Sequence, residues 1–340
     1  MICKVYRIIG GILYGRLGGN YMSKKIYFVI PCYNESEVLY ETSKRLNIKV
    51  TSLIDKGLIT EESRIVFVDD GSKDNTWGII RELTKSNCLF SGIKLSRNRG
   101  HQNALLAGLM TVKDLCDAVI SLDADLQDDI DIIDQFIEKF VNESCDVVYG
   151  VRNDRTTDTR FKRYTAQLFY KKMEFLGADI VYNHADYRLM SRRALEALST
   201  YKEVNLFLRG IVPLIGYKSD IVYYERGKRF AGKSKYPFRK MLSFALDGIT
   251  SFSSKPIRYI TLAGFLIFLI SIAMIIYFIY QWANGNTVSG WPSVICSVWA
   301  IGGLLMLSVG IIGEYIGKIY LETKQRPNYI IESVVEDEDK

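Results

Sequence analysis

The sequence predicts an α/β domain built on a mostly parallel, Rossmann-like sheet, followed by a C-terminal part that enters a membrane. Three observations carry that expectation. Short apolar runs of strand length alternate with amphipathic segments between residues 24 and 225; two charge-free apolar segments of 22 and 24 residues follow; a basic stretch separates the two regions. Strands buried on both faces by helices give that alternation. With 340 residues and 48% hydrophobic content there is ample material for a packed core, which excludes disorder as the main state. A net charge of +6 is too small to point to nucleic acid.

Residues 1–23 have a short apolar part, rich in glycine, broken by Arg7 and Arg16, and no clear small-residue cleavage site. They are expected to be an extension or an interfacial segment rather than a signal sequence. Strands are expected at 26–31 (IYFVIP), 64–70 (RIVFVDD), 92–96 (GIKLS), 118–125 (AVISLDAD) and 146–150 (DVVYG). Ligands of open α/β sheets sit beyond the carboxyl ends of strands. Those ends here read Tyr33-Asn34-Glu35, Asp69-Asp70-Gly71-Ser72 and Asp123-Ala124-Asp125, so three strands send acidic and polar groups to one rim. Acids gathered there without lysine partners suit a metal-bridged anion such as a nucleoside diphosphate.

Between Glu225 and Arg258 there are nine basic residues against two acidic ones, a placement that suits anionic lipid or phosphate. Phe238, Met241, Leu242, Ala245, Ile249 and Phe252 recur at helical spacing, which predicts an interfacial helix within residues 226–256. A second such stripe is Phe161, Tyr164, Leu168 and Phe175, with packing on the catalytic domain as its equal alternative. Residues 259–280 and 290–313 are each long enough to cross a hydrocarbon core of ~30 Å. They predict a two-helix hairpin within 257–317. Lys255 and Arg258 precede the first span, Lys318, Lys324 and Arg326 follow the second, and the connecting loop is uncharged, so both termini are expected in the cytoplasm. Residues 318–340 are expected to form a cytoplasmic tail with a disordered acidic end.

Six scattered cysteines without a CxxC pair and only two histidines, His101 and His184, argue against zinc and for reduced thiols. A hard cation on carboxylates is the metal this composition allows. In DADLQ, a period of two would put Asp123 and Asp125 on one side of an extended segment, facing one Mg²⁺, with Gln127 as a third ligand or a surface residue. Arg97, Arg99 and His101 precede a helical run, and cations with free amides at a helix start suit an anion.

The stretches VIPCYNE (29–35), VDDGSKDNT (68–76), RNRGHQNALLAG (97–108), DADLQDD (123–129) and GKRFAGKSKYP (227–237), in this order, resemble glycosyltransferase family 2. More narrowly they resemble its polyprenyl-phosphate glycosyltransferases, and GEYIGKIYLETKQRPNY (313–329) resembles the bacterial two-span branch. The resemblance runs from about residue 24 to 329. It implies a GT-A fold over 24–225, Mg²⁺ or Mn²⁺, a UDP-sugar donor and undecaprenyl phosphate as acceptor, with membrane lipids around the anchor and a homo-oligomeric assembly.

By the same resemblance Pro31, Tyr33 and Glu35 line the base and ribose, and either Asp69 or Asp70 meets the nucleobase. Arg97 and Arg152 lie near the donor phosphates, with Asp123, Ala124 and Asp125 at the metal. Arg229, Ser234 and Lys235 belong to an acceptor loop; Asp186 and Arg188 lie under the sugar, with Arg188 on the acceptor side. Asp186 is either a base or an orienting group, because a phosphate monoester with its second pKa near 6 is already largely anionic at pH 7. Inverting transfer of glucose is the reaction expected. A processive polysaccharide synthase is weakened by the two spans and by the absence of an Arg-Trp dipeptide. A nucleotide-sensing membrane protein without catalysis is the alternative of another class.

Overall fold

A computed structural model describes residues 23–152, 184–204, 208–225 and 290–336, with scattered residues between 260 and 284. In chain order the strands are β1 (Ile26–Cys32), β2 (Arg64–Asp69), β3 (Phe90–Leu95), β4 (Ala118–Ser121), β5 (Val147–Arg152), β6 (His184–Ser191), β7 (Ser219–Tyr224) and β8 (Ile331–Val335). The helices are α1 (Leu39–Asp55), α2 (Thr76–Ser86), α3 (His101–Val112), α4 (Ile133–Asn142), α5 (Arg192–Ser199), α6 (Leu208–Leu214) and α7 (Trp291–Lys324).

The eight strands among the described residues form one sheet in the order β7-β5-β6-β4-β1-β2-β3-β8. Strands β4, β1, β2 and β3 run parallel. β6 is inserted antiparallel between β4 and β5, and β7 pairs parallel with β5. Each central strand buries both faces, which is why its sequence is a nearly continuous apolar run. Along β1, Ile26, Phe28 and Ile30 enter one core with Leu39, Leu46, Val50 and Leu53 of α1 and Phe136 of α4. Val29 faces the other core, with Leu105 and Leu109 of α3 and Leu195 and Leu198 of α5. α3 lies so close that a Cβ on Gly108 would stand 2.4 Å from Val29 Cγ1, so this position admits only glycine without repacking.

Four sequence expectations change. β4 stops at Ser121 instead of reaching residue 125, so Asp123 and Asp125 lie in an irregular turn, with Leu126 in the left-handed region at φ 58°. Strand alternation therefore does not set the directions of their side chains. Residues 184–191, read only as a site segment, form the antiparallel strand β6. The tail is not all tail: α7 runs through Lys324, and β8 then pairs antiparallel with β3, with Lys94 bonded to Glu332 at 2.7 Å. The apolar helix is longer than the 24 residues first assigned to its span. Among the described residues this is the one helix long and apolar enough to cross a membrane, over Ile301–Lys324. The extension, the segment 153–183, the acceptor loop and interfacial helix, and the first span lie wholly or largely outside the described residues.

Candidate active site

The first two rim loops are stitched to each other by the polar residues that make them conspicuous in the sequence. Asn34 N–H donates to Ser72 Oγ at 2.9 Å, Lys73 N–H to Asn34 Oδ1 at 2.8 Å, Glu35 N–H to Thr76 Oγ1 at 2.9 Å and Ser36 N–H to Asp74 Oδ2 at 3.2 Å. Asp74 and Ser72 thus serve backbone amides, the structural role open to such turn residues. Pro31 is buried at the end of β1, whereas the Tyr33 ring is exposed at the rim and free of the core.

Asp69 and Asp70 are both buried, and burial raises the pKa of each above the ordinary carboxylate value. Their partners differ. Asp69 Oδ1 accepts from Ser72 N–H at 3.1 Å, while its Oδ2 is buried with no hydrogen-bond partner. Asp70 accepts from Arg99 N–H at 2.7 Å and Gly100 N–H at 2.9 Å, fixing the loop that leads into α3. Between the two acids and that loop, Gly71 at φ 64° packs on the Arg97 backbone; a Cβ there would lie 2.6 Å from the Arg97 carbonyl carbon. Arg97 is exposed beside this junction. Arg99, grouped with it as an anion-binding cation, instead donates to Pro327 O at 3.0 Å and ties the loop to the chain after α7.

In the third loop Asp123 is half-exposed and Asp125 buried, the latter accepting Gln127 N–H at 3.1 Å. Ala124, expected among the donor contacts, points its methyl into the core, and its carbonyl accepts the Thr42 hydroxyl at 2.7 Å. Three residues beyond Asp125, Asp128 is fully buried, and burial together with Asp123 and Asp125 pushes its pKa up to about 6. Tyr224 at the end of β7 donates to Asp128 Oδ1 at 2.5 Å and accepts Arg152 Nε–H at 3.2 Å. Arg152 Nη2 lies 3.7 Å from Asp128 Oδ1. Sequence reading missed Asp128 and Tyr224, since the contact joins positions 96 residues apart.

A second cluster surrounds Asp186 on β6. Arg188 Nη2 donates to Oδ1 at 2.6 Å, and Arg209 Nε–H and Nη2–H reach Oδ1 and Oδ2 at 3.2 and 3.0 Å. His101 Nε2 stands 3.6 Å from Oδ2 and 3.5 Å from Asp123 Oδ1, so it bridges this cluster to the DxD turn. Although burial opposes ionisation, Arg209, His101 and Arg188 hold the Asp186 carboxyl well below the usual range. Burial likewise disfavours the His101 imidazolium, yet Asp186 and Asp123 raise its pKa to about 9. A carboxylate so paired is a poor proton acceptor. Arg188, expected at the acceptor, is 2% exposed and locked against Asp186; Arg209, 31% exposed, is the cation this cluster presents. Arg209 was missed because a single arginine before the apolar run GIVPL carries no motif; Gln102 Oε1, accepting Leu208 N–H at 2.9 Å, sets it beside His101.

Arg229, Ser234 and Lys235 fall outside the described residues, so the structure leaves the acceptor loop as an expectation. Glu143, Cys145 and Asp220 also come together, far from the rim loops, but Lys139 already bonds Asp220 and lies 3.6 Å from Glu143.

The family model for glycosyl transferase family 2 matches residues 27–199, half of the chain, and covers every rim loop described above. The chain belongs to glycosyltransferase family 2. Relatives extend the match to nearly the full length. The family 2 chain is 55% identical over 304 residues to the uncharacterized glycosyltransferase YkoT of Bacillus subtilis, covering 89% of this chain and 90% of that one. It is 42% identical to the bactoprenol glucosyl transferase of Shigella phage SfX and 41% identical to the prophage bactoprenol glucosyl transferase homolog of Escherichia coli, each over 91% of this chain and 99% of the relative. Among solved structures, the Pyrobaculum calidifontis mannosyltransferase in complex with GDP-Man and Mn²⁺ matches with TM-score 0.41 and 15% identity, over 88% and 85% of the two chains. The sheet order and the acidic rim agree with the GT-A expectation for this family 2 enzyme.

Proposed function

We propose that this glycosyltransferase moves glucose from UDP-glucose to undecaprenyl phosphate, with inversion, at the cytoplasmic face of the cell membrane. The observation that carries the reading is the uneven charge of the rim: Asp123 and Asp125 lie close enough to the buried Asp128 to raise its pKa, with Arg152 3.7 Å from Asp128 as the cation beside them. Such a site favours a divalent cation and a diphosphate together. The names of relatives more than 40% identical over almost their whole length support bactoprenol as acceptor and glucose as sugar.

Asp123 and Asp125, with Gln127 beside them, would hold Mg²⁺ or Mn²⁺, which supplies charge neutralisation to the departing nucleoside diphosphate. Arg152 adds a fixed positive charge on the same side. Tyr33 offers its exposed ring to the base; Asp69 or Asp70 takes the imide N–H. Asp186 does not serve as base in this scheme. It orients Arg209 and His101 at the sugar side, since an acceptor phosphate that is already anionic needs placement more than deprotonation. Arg229, Ser234 and Lys235 bind that phosphate. The apolar helix, paired with residues 259–280 in a two-span hairpin with both termini cytoplasmic, keeps the enzyme where the polyprenyl chain must remain, and a homo-oligomer of such hairpins is the assembly we favour.

The test is incubation of the purified protein with undecaprenyl phosphate and a panel of nucleotide sugars, followed by mass analysis of the lipid. A mass gain of one hexose from UDP-glucose is expected. Transfer only from another donor would reassign the sugar, and no lipid product from any donor would refute the reading.

A further inference from the structure

Arg152 stands at the end of β5, opposite Tyr224 in the unbroken parallel register of β5 and β7. A long guanidinium side chain at a strand end needs something to hold it in one direction. The Tyr224 hydroxyl has one proton to give, and Asp128 Oδ1 takes it at 2.5 Å. Its lone pair is thereby left facing Arg152 Nε–H at 3.2 Å, and the polarity of the bridge is fixed. Asp128 is too buried to touch a substrate, with 2% of its side chain exposed and Oδ2 without a partner. Arg152, at 26% exposure, is the member of the group that a ligand can reach.

We propose that Asp128 and Tyr224 are positioning residues that aim Arg152 at the second phosphate of the nucleoside diphosphate. The proposal rests on the donor-site reading of Arg152 above and adds two residues to it, one from the metal-side loop and one from β7. Tyr224 also closes the strand that leads into the basic segment at 226–237, so the chain that enters the acceptor loop starts from a residue bonded to the donor arm.

Binding of UDP and UMP, each with Mg²⁺, measured by calorimetry on the intact protein, separates the possibilities. Wild type should prefer UDP. Tyr224→Phe keeps ring and volume but strands both hydrogen bonds, and should weaken UDP binding about tenfold while UMP binding stays within about twofold. In turnover, kcat/KM for the donor should fall and the KM for lipid phosphate should not move. Asp128→Asn retains an acceptor for the hydroxyl, loses the charge, and should give a smaller loss of the same kind; it also serves if the phenylalanine variant fails to fold. Equal weakening of UDP and UMP, or no change in either, would overturn the positioning role. Arg152→Ala is the control for the underlying reading: if it leaves UDP binding intact, Arg152 is not a phosphate ligand, whereas if it weakens UDP and the other two variants do not, only the positioning inference falls.

Discussion

Asp128 and Asp186 are both buried aspartates beside the same rim, and their surroundings drive them in opposite directions. Burial and two acidic neighbours push Asp128 up to about 6, with one arginine at 3.7 Å and one phenol for company. Asp186 meets the same desolvation but has Arg209 across both oxygens, Arg188 at 2.6 Å and His101 nearby, and falls well below the ordinary range. The difference teaches where positive charge is still wanted. Around Asp186 the protein supplies its own cations; around the DxD turn it leaves carboxylates in excess, the charge that the metal proposed above would balance.

The largest effect should come from the acid-rich side. Asp125→Asn removes one charge at constant size, and transfer to lipid is expected to fall at least a thousandfold, with EDTA doing the same to wild type. Full activity in EDTA would erase the contrast between the two clusters. On the neutralised side the expected loss is in stability. Asp186→Asn leaves two guanidiniums facing each other across a buried amide, and denaturant unfolding should show a loss of about 3–5 kcal/mol. The pH dependence has a definite sign. The folded pKa of Asp186 lies below its ordinary 3.8, so its contribution is present above that pH and is lost as pH falls through the folded value. Acid unfolding of wild type should therefore steepen below pH 3.8, and the asparagine variant should lack that component.

A smaller effect tests the division between donor and acceptor cations. Lys235→Met keeps much of the stem and removes the charge, a loss of about 1.5–3 kcal/mol of contact energy, or roughly ten- to a hundredfold in acceptor kinetics. Donor binding with Mg²⁺ should hardly change. If the donor affinity collapsed instead, the basic loop would belong to the diphosphate, and the rim would have more positive charge of its own than the comparison allows.

Much of the first level of this architecture is legible in the sequence, because a strand buried on both faces must be apolar throughout and the polar residue that ends it marks the rim. β1 and β2 show this directly: IYFVIP and RIVFV stop at Tyr33 and at Asp69-Asp70. What stays hidden is produced by register and by long loops. β6 carries Asp186 and Arg188 in the alternating position of a strand, yet its polar content hides it from an apolar-run search. β8 follows a membrane-type helix and looks like an acidic tail, but it finds an unpaired edge at β3. Asp128 sits inside the DADLQDD stretch, but its role, like those of Tyr224 and Arg209, comes from partners 23 to 96 residues away. The DxD itself was found through its composition, while its geometry was not, because the strand ends two residues before it.

The smallest expected effect concerns a third group of acids. Glu143 and Asp220, with Cys145, lie close enough to suggest a cation site, and an acidic count alone would rank them beside Asp123 and Asp125. Lys139 already occupies the position a metal would take: it bonds Asp220, whose pKa it lowers, and sits 3.6 Å from Glu143. By the logic that separates Asp186 from Asp128, carboxylates that own a cation do not recruit another. The pair is also half-exposed, where ion pairs contribute about 0–1 kcal/mol. Asp220→Asn should therefore shift unfolding by no more than about 1 kcal/mol and leave the Mg²⁺ or Mn²⁺ concentration for half-maximal transfer within about twofold of wild type. A marked rise in the metal requirement would mean that proximity of acids, rather than their lack of a protein cation, decides where the metal acts, and the contrast between the two rim aspartates would lose its explanatory force.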